Sequence, residues 1–538
     1  MLQGFQVKSS FWLKPTVAVA LVGLGDLLFY QWQQFGANIG YFGLAIVAAM
    51  LISRHAIRLE RRAWVALVAA TLFGCAMVWD ANLLAWALFC VAAAMAALLP
   101  ASARFSDGWR WFQRLVLHGI RAPFAPLIDL VRLQRVRRRR PQARFGLRTS
   151  LSTLALPAMG GFIFLALFAA ANPIIERALN ALAMPSLSPW TILRMVIWTT
   201  LFIFVWSFLH PRMARRVLST FDGTGDLKLP GVSVTSVRLS LILFNLLFAL
   251  QNILDIAYLG GMAPMPEGIT LAQYAHRGAY PLIVTALLAA LFVVVTLRPG
   301  STTAAVPLIR RLVALWIGQN IVLVASSIIR TLDYVEAYSL TVLRISALAW
   351  MVLVAVGLML ICWRLFANKS VGWLINANLA AAGLLLTVAS VVDLGAVAAS
   401  WNVRHAREVG GSGAALDLCY LDNLGGSSLL SLIELEQRGT LNAEFRTRVH
   451  AVRERVFVRL REEQEFAPTL LSRRRLERAE AEASTLKETP IPPGARGCNG
   501  ALIPPTPAPS AAPTADTGPS GPVTAASPSA ALTARPLQ

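Results

Sequence analysis

Charge is scarce in this chain. Asp, Glu, Lys and Arg make up 14% of its 538 residues, against about 25% in ordinary soluble domains. Acid is the scarcer sign, with 28 Asp+Glu against 49 Lys+Arg. Six histidines and five cysteines complete a thin chemical inventory. No CxxC pair and no Cys/His spacing of a zinc site occurs, so a structural zinc or a redox motif is not indicated. GxxxxGK[ST], HExxH and GxSxG are all missing, and with them the sequence signs of a phosphate-cradling loop, a zinc protease or a hydrolase elbow. DGTG at 222–225 reads as a turn. HAREVGGSGAALD at 405–417 reads as a flexible connector, because no strand precedes it. No cofactor is implied, and an enzyme is the less favoured class.

Apolar residues fill the space. They form 56% of the chain, with a mean hydropathy of +0.59, and they cluster in runs of about 17–25, the length a helix needs to cross hydrocarbon. The runs predict an all-α, polytopic bundle of about eleven spans: 15–30, 36–52, 63–79, 81–99, 151–171, 190–209, 234–258, 279–297, 312–329, 340–363 and 371–391. The first run lacks a small-x-small cleavage site and is expected to stay as the first helix.

The net charge of +21 is not a nucleic-acid signal. Residues 402–538 carry 16 basic and 15 acidic residues, so almost all the excess lies in the membrane part, and no nucleic-acid partner is expected. Its placement alternates. Lys8 and Lys14, Arg54 to Arg62, twelve arginines between Arg104 and Arg148, Arg212 to Lys228, Arg298 to Arg311, and Arg364 with Lys369 occupy one set of connections. The other set holds Arg177, Arg277 and Arg330. Positive charge stays on the cytoplasmic side of short loops, which predicts a cytoplasmic amino terminus and, after eleven crossings, a periplasmic carboxyl terminus in a bacterial inner membrane.

Five regions follow. Residues 1–100 hold the first four spans, and 151–401 a seven-helix core. Between them, 101–150 is a basic amphipathic cytoplasmic segment. Its GWRWFQRLVLHGI (108–120) suits a helix in the headgroup layer. Arg135, Arg137, Arg138, Arg139 and Arg140 then form a run that attracts anionic lipid headgroups. In the 402–490 tail, Phe445, Val449, Val452, Val456 and Leu460 recur at helical spacing, predicting a small periplasmic helical domain and a surface for an envelope partner. Residues 491–538 are Pro, Ala, Ser and Thr, a composition expected to be disordered. Cys419 and Cys498 both lie in the tail, where an oxidising compartment would let them pair.

Candidate site residues collect at the outer ends of the spans. Gln251 and Asp255 are four apart on one helix, and Arg238, Asn245 and Asn252 recur every seven. Gln319, Ser326 and Arg330 make a second stripe. Tyr274, His276, Arg277, Asp333, Glu336 and Arg344 fall at the same level; Asp26, alone in the first span, is read as an interior hydrogen-bonding group and not a proton carrier. Such residues are costly in lipid and face the bundle interior. They are read either as a structural ion-pair network, with Asp255 partnered by Arg277 or Arg344, or as a polar pocket for a ligand.

LQNILDIAYLGG (250–261), MPEGITLAQYAHRGAYPLI (265–283), LDYVEAYSLTVLRISALAW (332–350), the 373–406 stretch and LDLCYLDNL (416–424) resemble a family of multi-pass bacterial membrane proteins known only as a domain of unknown function, over about 150–435. The resemblance implies a fold and a location but no activity. Three classes stay open: a non-enzymatic envelope protein binding a partner or ligand, a secondary transporter, and a membrane-embedded enzyme.

Overall fold

In hydrocarbon no water is present to bond the backbone, so a spanning chain satisfies its amides within helices. The computed structural model of the protein describes residues 3–31, 35–102, 107–138, 188–214, 217–219, 233–259, 301–438, 441–486 and 492–503, with scattered positions in 157–172 and 284–293. Eight of the described helices are long and apolar enough to cross a membrane, and Ala37–Ser53 is a shorter apolar one. The chain is an all-α, multi-pass membrane protein. These nine helices coincide with nine expected spans. The spans expected at 151–171 and 279–297, and the DGTG turn, lie wholly or largely outside the described residues.

We number the principal helices α1 (Gln3–Gly25), α2 (Ala37–Ser53), α3 (Arg61–Trp79), α4 (Leu83–Leu98), α5 (Gly108–Arg121), α6 (Ala125–Arg138), α7 (Pro189–Leu209), α8 (Val234–Leu259), α9 (Pro307–Tyr338), α10 (Val342–Phe366) and α11 (Val371–Val391). The tail adds α12 (Leu394–His405), α13 (Leu418–Asn423), α14 (Leu429–Gln437), α15 (Ala443–Phe466) and α16 (Leu470–Ala483).

Two cores form inside the membrane part. α1–α4 and α7 share one, around Ile46, Met50, Met77, Phe89 and Leu209, with Trp111 of α5 packed beneath it. Small residues allow close approach there, as lipid-embedded interfaces require. A Cβ on Gly40 would lie 2.5 Å from the Val78 nitrogen, so α2 and α3 touch backbone to backbone. α8–α11 share the second core, centred on Trp316, which stacks on Phe244 at 5.2 Å. α11 joins the halves. Asn82 at the start of α4 donates to the Ser390 carbonyl (2.9 Å), and Asn376 accepts from the Gly108 amide (2.7 Å).

Two pairs of spans run parallel. Asn245 and Asn252 of α8 donate to the carbonyls of Leu312 and Gln319 of α9, so the register advances in the same sense on both helices. Arg54 bridges the carbonyls of Ala97 (2.7 Å) and Phe208 (3.5 Å), which puts the carboxyl ends of α4 and α7 side by side.

The tail is a folded helical domain, and its limits differ from those expected. It begins at Leu394, not 402: Asp393 caps α12 (Ala396 N to Oδ1, 3.0 Å), and Ala399, Val403 and Ala406 enter the core built by Leu421, Leu432, Val449, Val452 and Val456. The 405–417 stretch is an ordered turn, closed by Glu408 accepting from the Leu416 amide and by Arg407 donating to the Gly413 carbonyl (2.9 Å). At its other end the domain reaches Ile503. Cys419 and Cys498 form a disulfide, Arg455 donates to the Gly497 carbonyl and Arg448 to that of Asn499. Disorder expected from 491 onward therefore does not hold for 492–503, because a covalent link and arginine side chains supply what that composition lacks. Residues 504–538 lie outside the described residues.

Inside the tail, Glu436 is buried between His450 (2.7 Å) and Arg453 (2.6 Å). Burial pushes its carboxyl up, but the His450 hydrogen bond and the Arg453 charge outweigh it, so the folded pKa sits below the ordinary value. A depressed carboxylate contributes stability that is full above its unfolded pKa of about 4.3 and is lost as pH falls through the folded value. Thermal unfolding of the tail should therefore show an acid limb that Glu436→Gln flattens, at the cost of lower stability at neutral pH. An unchanged limb would assign the acid sensitivity elsewhere.

Candidate functional site

The tail-side half of the α8–α9 seam holds the polar cluster. The two polar stripes face each other, since α8 and α9 are parallel and in register. Asp255 is 3% exposed, and a lone carboxylate there would be very costly. Two hydrogen-bond donors meet it, Gln251 from one turn earlier (2.9 Å) and Ser326 of α9 (2.9 Å), and the Arg330 guanidinium pairs with its charge. Arg330 is itself buried. One carboxylate thus takes bonds from both helices.

Further along the seam the amides of Asn245 and Asn252 donate across to α9, while Asn320 donates within it to the Trp316 carbonyl. The side-chain oxygens of Asn245, Asn252 and Gln319 are buried and accept no hydrogen bond from the described residues.

The other expected members scatter. Arg344 does not reach Asp255. It donates to the Tyr338 carbonyl (2.6 Å) and the Ser339 carbonyl and lies over the Tyr334 ring at 4.2 Å. There it braces the α9–α10 turn, where Ser339 has φ +71°. Asp333 and Glu336 are exposed, and they belong to α9, not to a turn, because the helix continues to Tyr338. Its 32 residues span about 48 Å, more than the roughly 30 Å of hydrocarbon. The excess enters the tail, where Val335 packs with Leu340 and Ala398. Tyr274, His276 and Arg277 lie outside the described residues. So do Arg139 and Arg140, whereas Arg135, Arg137 and Arg138 end α6.

The same device recurs. Asp26, 5% exposed, accepts from Arg194 (2.8 and 2.5 Å) and the Trp198 indole (2.8 Å) of α7. Asp129 takes Arg212, His210 (2.9 Å) and Trp206 (3.0 Å). Asp393 takes Arg475 and Ser427, and Asp422 takes Arg455 (3.1 Å) and Arg459. Each carboxylate meets an arginine from another element. Sequence reasoning did not pair these arginines, because the separations run from 33 to 168 residues; the signal that was visible is the periodic stripe on α9.

The signature of the family described as Domain of unknown function (DUF4153) matches residues 63–435, and the chain belongs to that family. The match begins well before the expected 150, taking in α3 and α4, and it ends within α14. No curated protein and no solved structure matches the chain.

Proposed function

We propose that this is a non-enzymatic envelope protein of a bacterial inner membrane, which holds a periplasmic domain rigidly on its outer face for a partner or ligand. The observation that carries the reading is the Cys419–Cys498 disulfide in a domain seated on span ends, since such bonds persist in oxidising compartments. The parallel pairs support the topology. If α4 and α7 point the same way, the chain returns across the membrane between them, and the same holds for α8 and α9. Two added crossings make eleven, which agrees with the Lys/Arg alternation. The two donors and the guanidinium on Asp255 favour a structural role for it over proton transfer.

Alkaline phosphatase joined after Gln538 should be active, and joined after Arg140 inactive. The reverse at either point would overturn the orientation. Photocrosslinkers at exposed tail positions such as Val458 should then give discrete adducts with an envelope component in cells; none from any tail position would remove the partner reading. A transporter remains the second reading, favoured by the row of buried acceptor oxygens on Asn245, Asn252 and Gln319. Solute or ion flux in proteoliposomes that Asn252→Leu abolishes would promote it.

A further inference from the structure

At the end of the bundle opposite the tail, α5, α6 and the carboxyl end of α7 enclose a cavity of about 580 Å³. The sequence builds it from an amphipathic turn of chain. On α5, Trp109, Phe112, Val116 and Ile120 form an exposed apolar stripe, the face a headgroup-layer helix turns toward lipid. Trp111 and His118 point the other way and are buried. Pro123 breaks the run, α6 follows, and Trp206 of α7 anchors α6 by donating to Asp129.

The lining is cationic. Arg121 and Arg132 stand exposed at its edge, and His118, Ser207, His210 and Arg212 line the wall. Asp129 is held by Arg212 and His210. Three arginines against that one carboxylate leave two formal positive charges before the histidines are counted. His118 is 8% exposed, and its Nε2 has no hydrogen-bond partner among the described residues. A buried polar atom of this kind is costly unless something meets it. Burial, then the charge of Arg54, hold the His118 pKa below its ordinary value. Burial likewise lowers His210 despite Asp129. Both rings are thereby held toward the neutral form, and His118, whose Nε2 is unengaged, can offer an N–H to a ligand without adding charge.

We propose that this cavity is a binding site for a phosphate monoester, with Arg121, Arg132 and Arg212 matching its charge and His118 donating to one of its oxygens. A monoester carries about −1.5 to −2 near neutral pH with three strong acceptor oxygens, which fits two net cations and a neutral donor. Arginine suits the task through its planar fork of donors. The position beside an interfacial helix allows the monoester to come from a lipid headgroup or from a soluble compound. This site is separate from the Arg135–Arg140 run, whose attraction for anionic lipid depends on charge alone.

The test uses the purified full-length protein. Binding would be measured to phosphatidylcholine vesicles containing phosphatidic acid, to matched vesicles containing phosphatidylglycerol at equal surface charge, and to inorganic phosphate in solution. We expect phosphatidic acid to be preferred over phosphatidylglycerol, and Arg121→Gln/Arg132→Gln to weaken that binding about tenfold, the loss of roughly one charge-assisted hydrogen bond. His118→Phe should lower the preference without changing charge, and Arg62→Gln, an exposed arginine outside the cavity, should leave it intact. Saturable inorganic phosphate binding with the same variant pattern, and no headgroup preference, would assign the site to a soluble monoester. Equal binding to both lipids with no phosphate binding, or equal losses in Arg62→Gln, would reduce the effect to surface charge and overturn the proposal.

Discussion

Removing either partner of the Asp255–Arg330 pair should cost about 3–5 kcal/mol, because each leaves the other charge buried and uncompensated. The local chemistry sharpens this. Asp255→Ala strands Arg330 in a buried helix seam with no carboxylate to meet it. Arg330→Ala leaves Asp255 with two neutral donors, Gln251 and Ser326, and is the milder change. Replacing both, as Asp255→Leu with Arg330→Met, removes both charges and should be much less harmful than the sum. Denaturant titration of the detergent-solubilised protein, read as a double-mutant cycle, measures the coupling. Simple additivity would mean that the two charges do not sense each other, and the site would then be open to an ionic ligand.

A comparably large loss is expected from Cys419→Ser. The cysteines are 79 residues apart, and closing a loop of that length removes enough unfolded-chain entropy to stabilise by about 4.5 kcal/mol in the loop-closure treatment. The residues it tethers, 492–503, have few apolar contacts of their own, so they should be the first to leave. Limited proteolysis should cut after Arg496 in the Cys419→Ser protein and in wild type treated with reductant, but not in oxidised wild type. Truncation at Pro490 should act like the cysteine change. Cleavage at equal rates in both redox states would mean that Arg448 and Arg455 hold the segment without the disulfide.

The span helices were legible because hydrocarbon leaves the sequence few choices: long apolar runs, bounded by arginine, admit one secondary structure. The stripe of Gln319, Ser326 and Arg330 was legible too, since spacings of seven and four stay on one helix face. The partner of Asp255 was not. Choosing between Arg277, Arg330 and Arg344 requires the register of α8 against α9 and the point where α9 ends, and both are set by packing around Trp316 and by Val335 entering the tail. Arg194 was overlooked because it sits inside an apolar run, where its pairing with Asp26 depends on a neighbour 168 residues away. The tail's limits were misread at both ends, since composition registers a core's apolar residues but not a disulfide that recruits Pro-rich chain to it.

The seating of the tail has a mechanical consequence. It grips the first membrane core at Phe35 and Ala37, whose amides bond the Phe466 and Pro468 carbonyls (3.0 and 2.8 Å), and at Trp79, under Arg474. It grips the second at Leu340, paired both ways with Asn402, at Val342 through the Tyr420 hydroxyl, and at Asp393 through Arg475. One stapled body therefore works as a tie bar across both bundles. The far end carries a lighter link, the Gly108 amide on Asn376 of α11, so parting of the two bundles would be levered about the tail, as the blades of shears are about their pivot, and would be felt beside the cationic cavity.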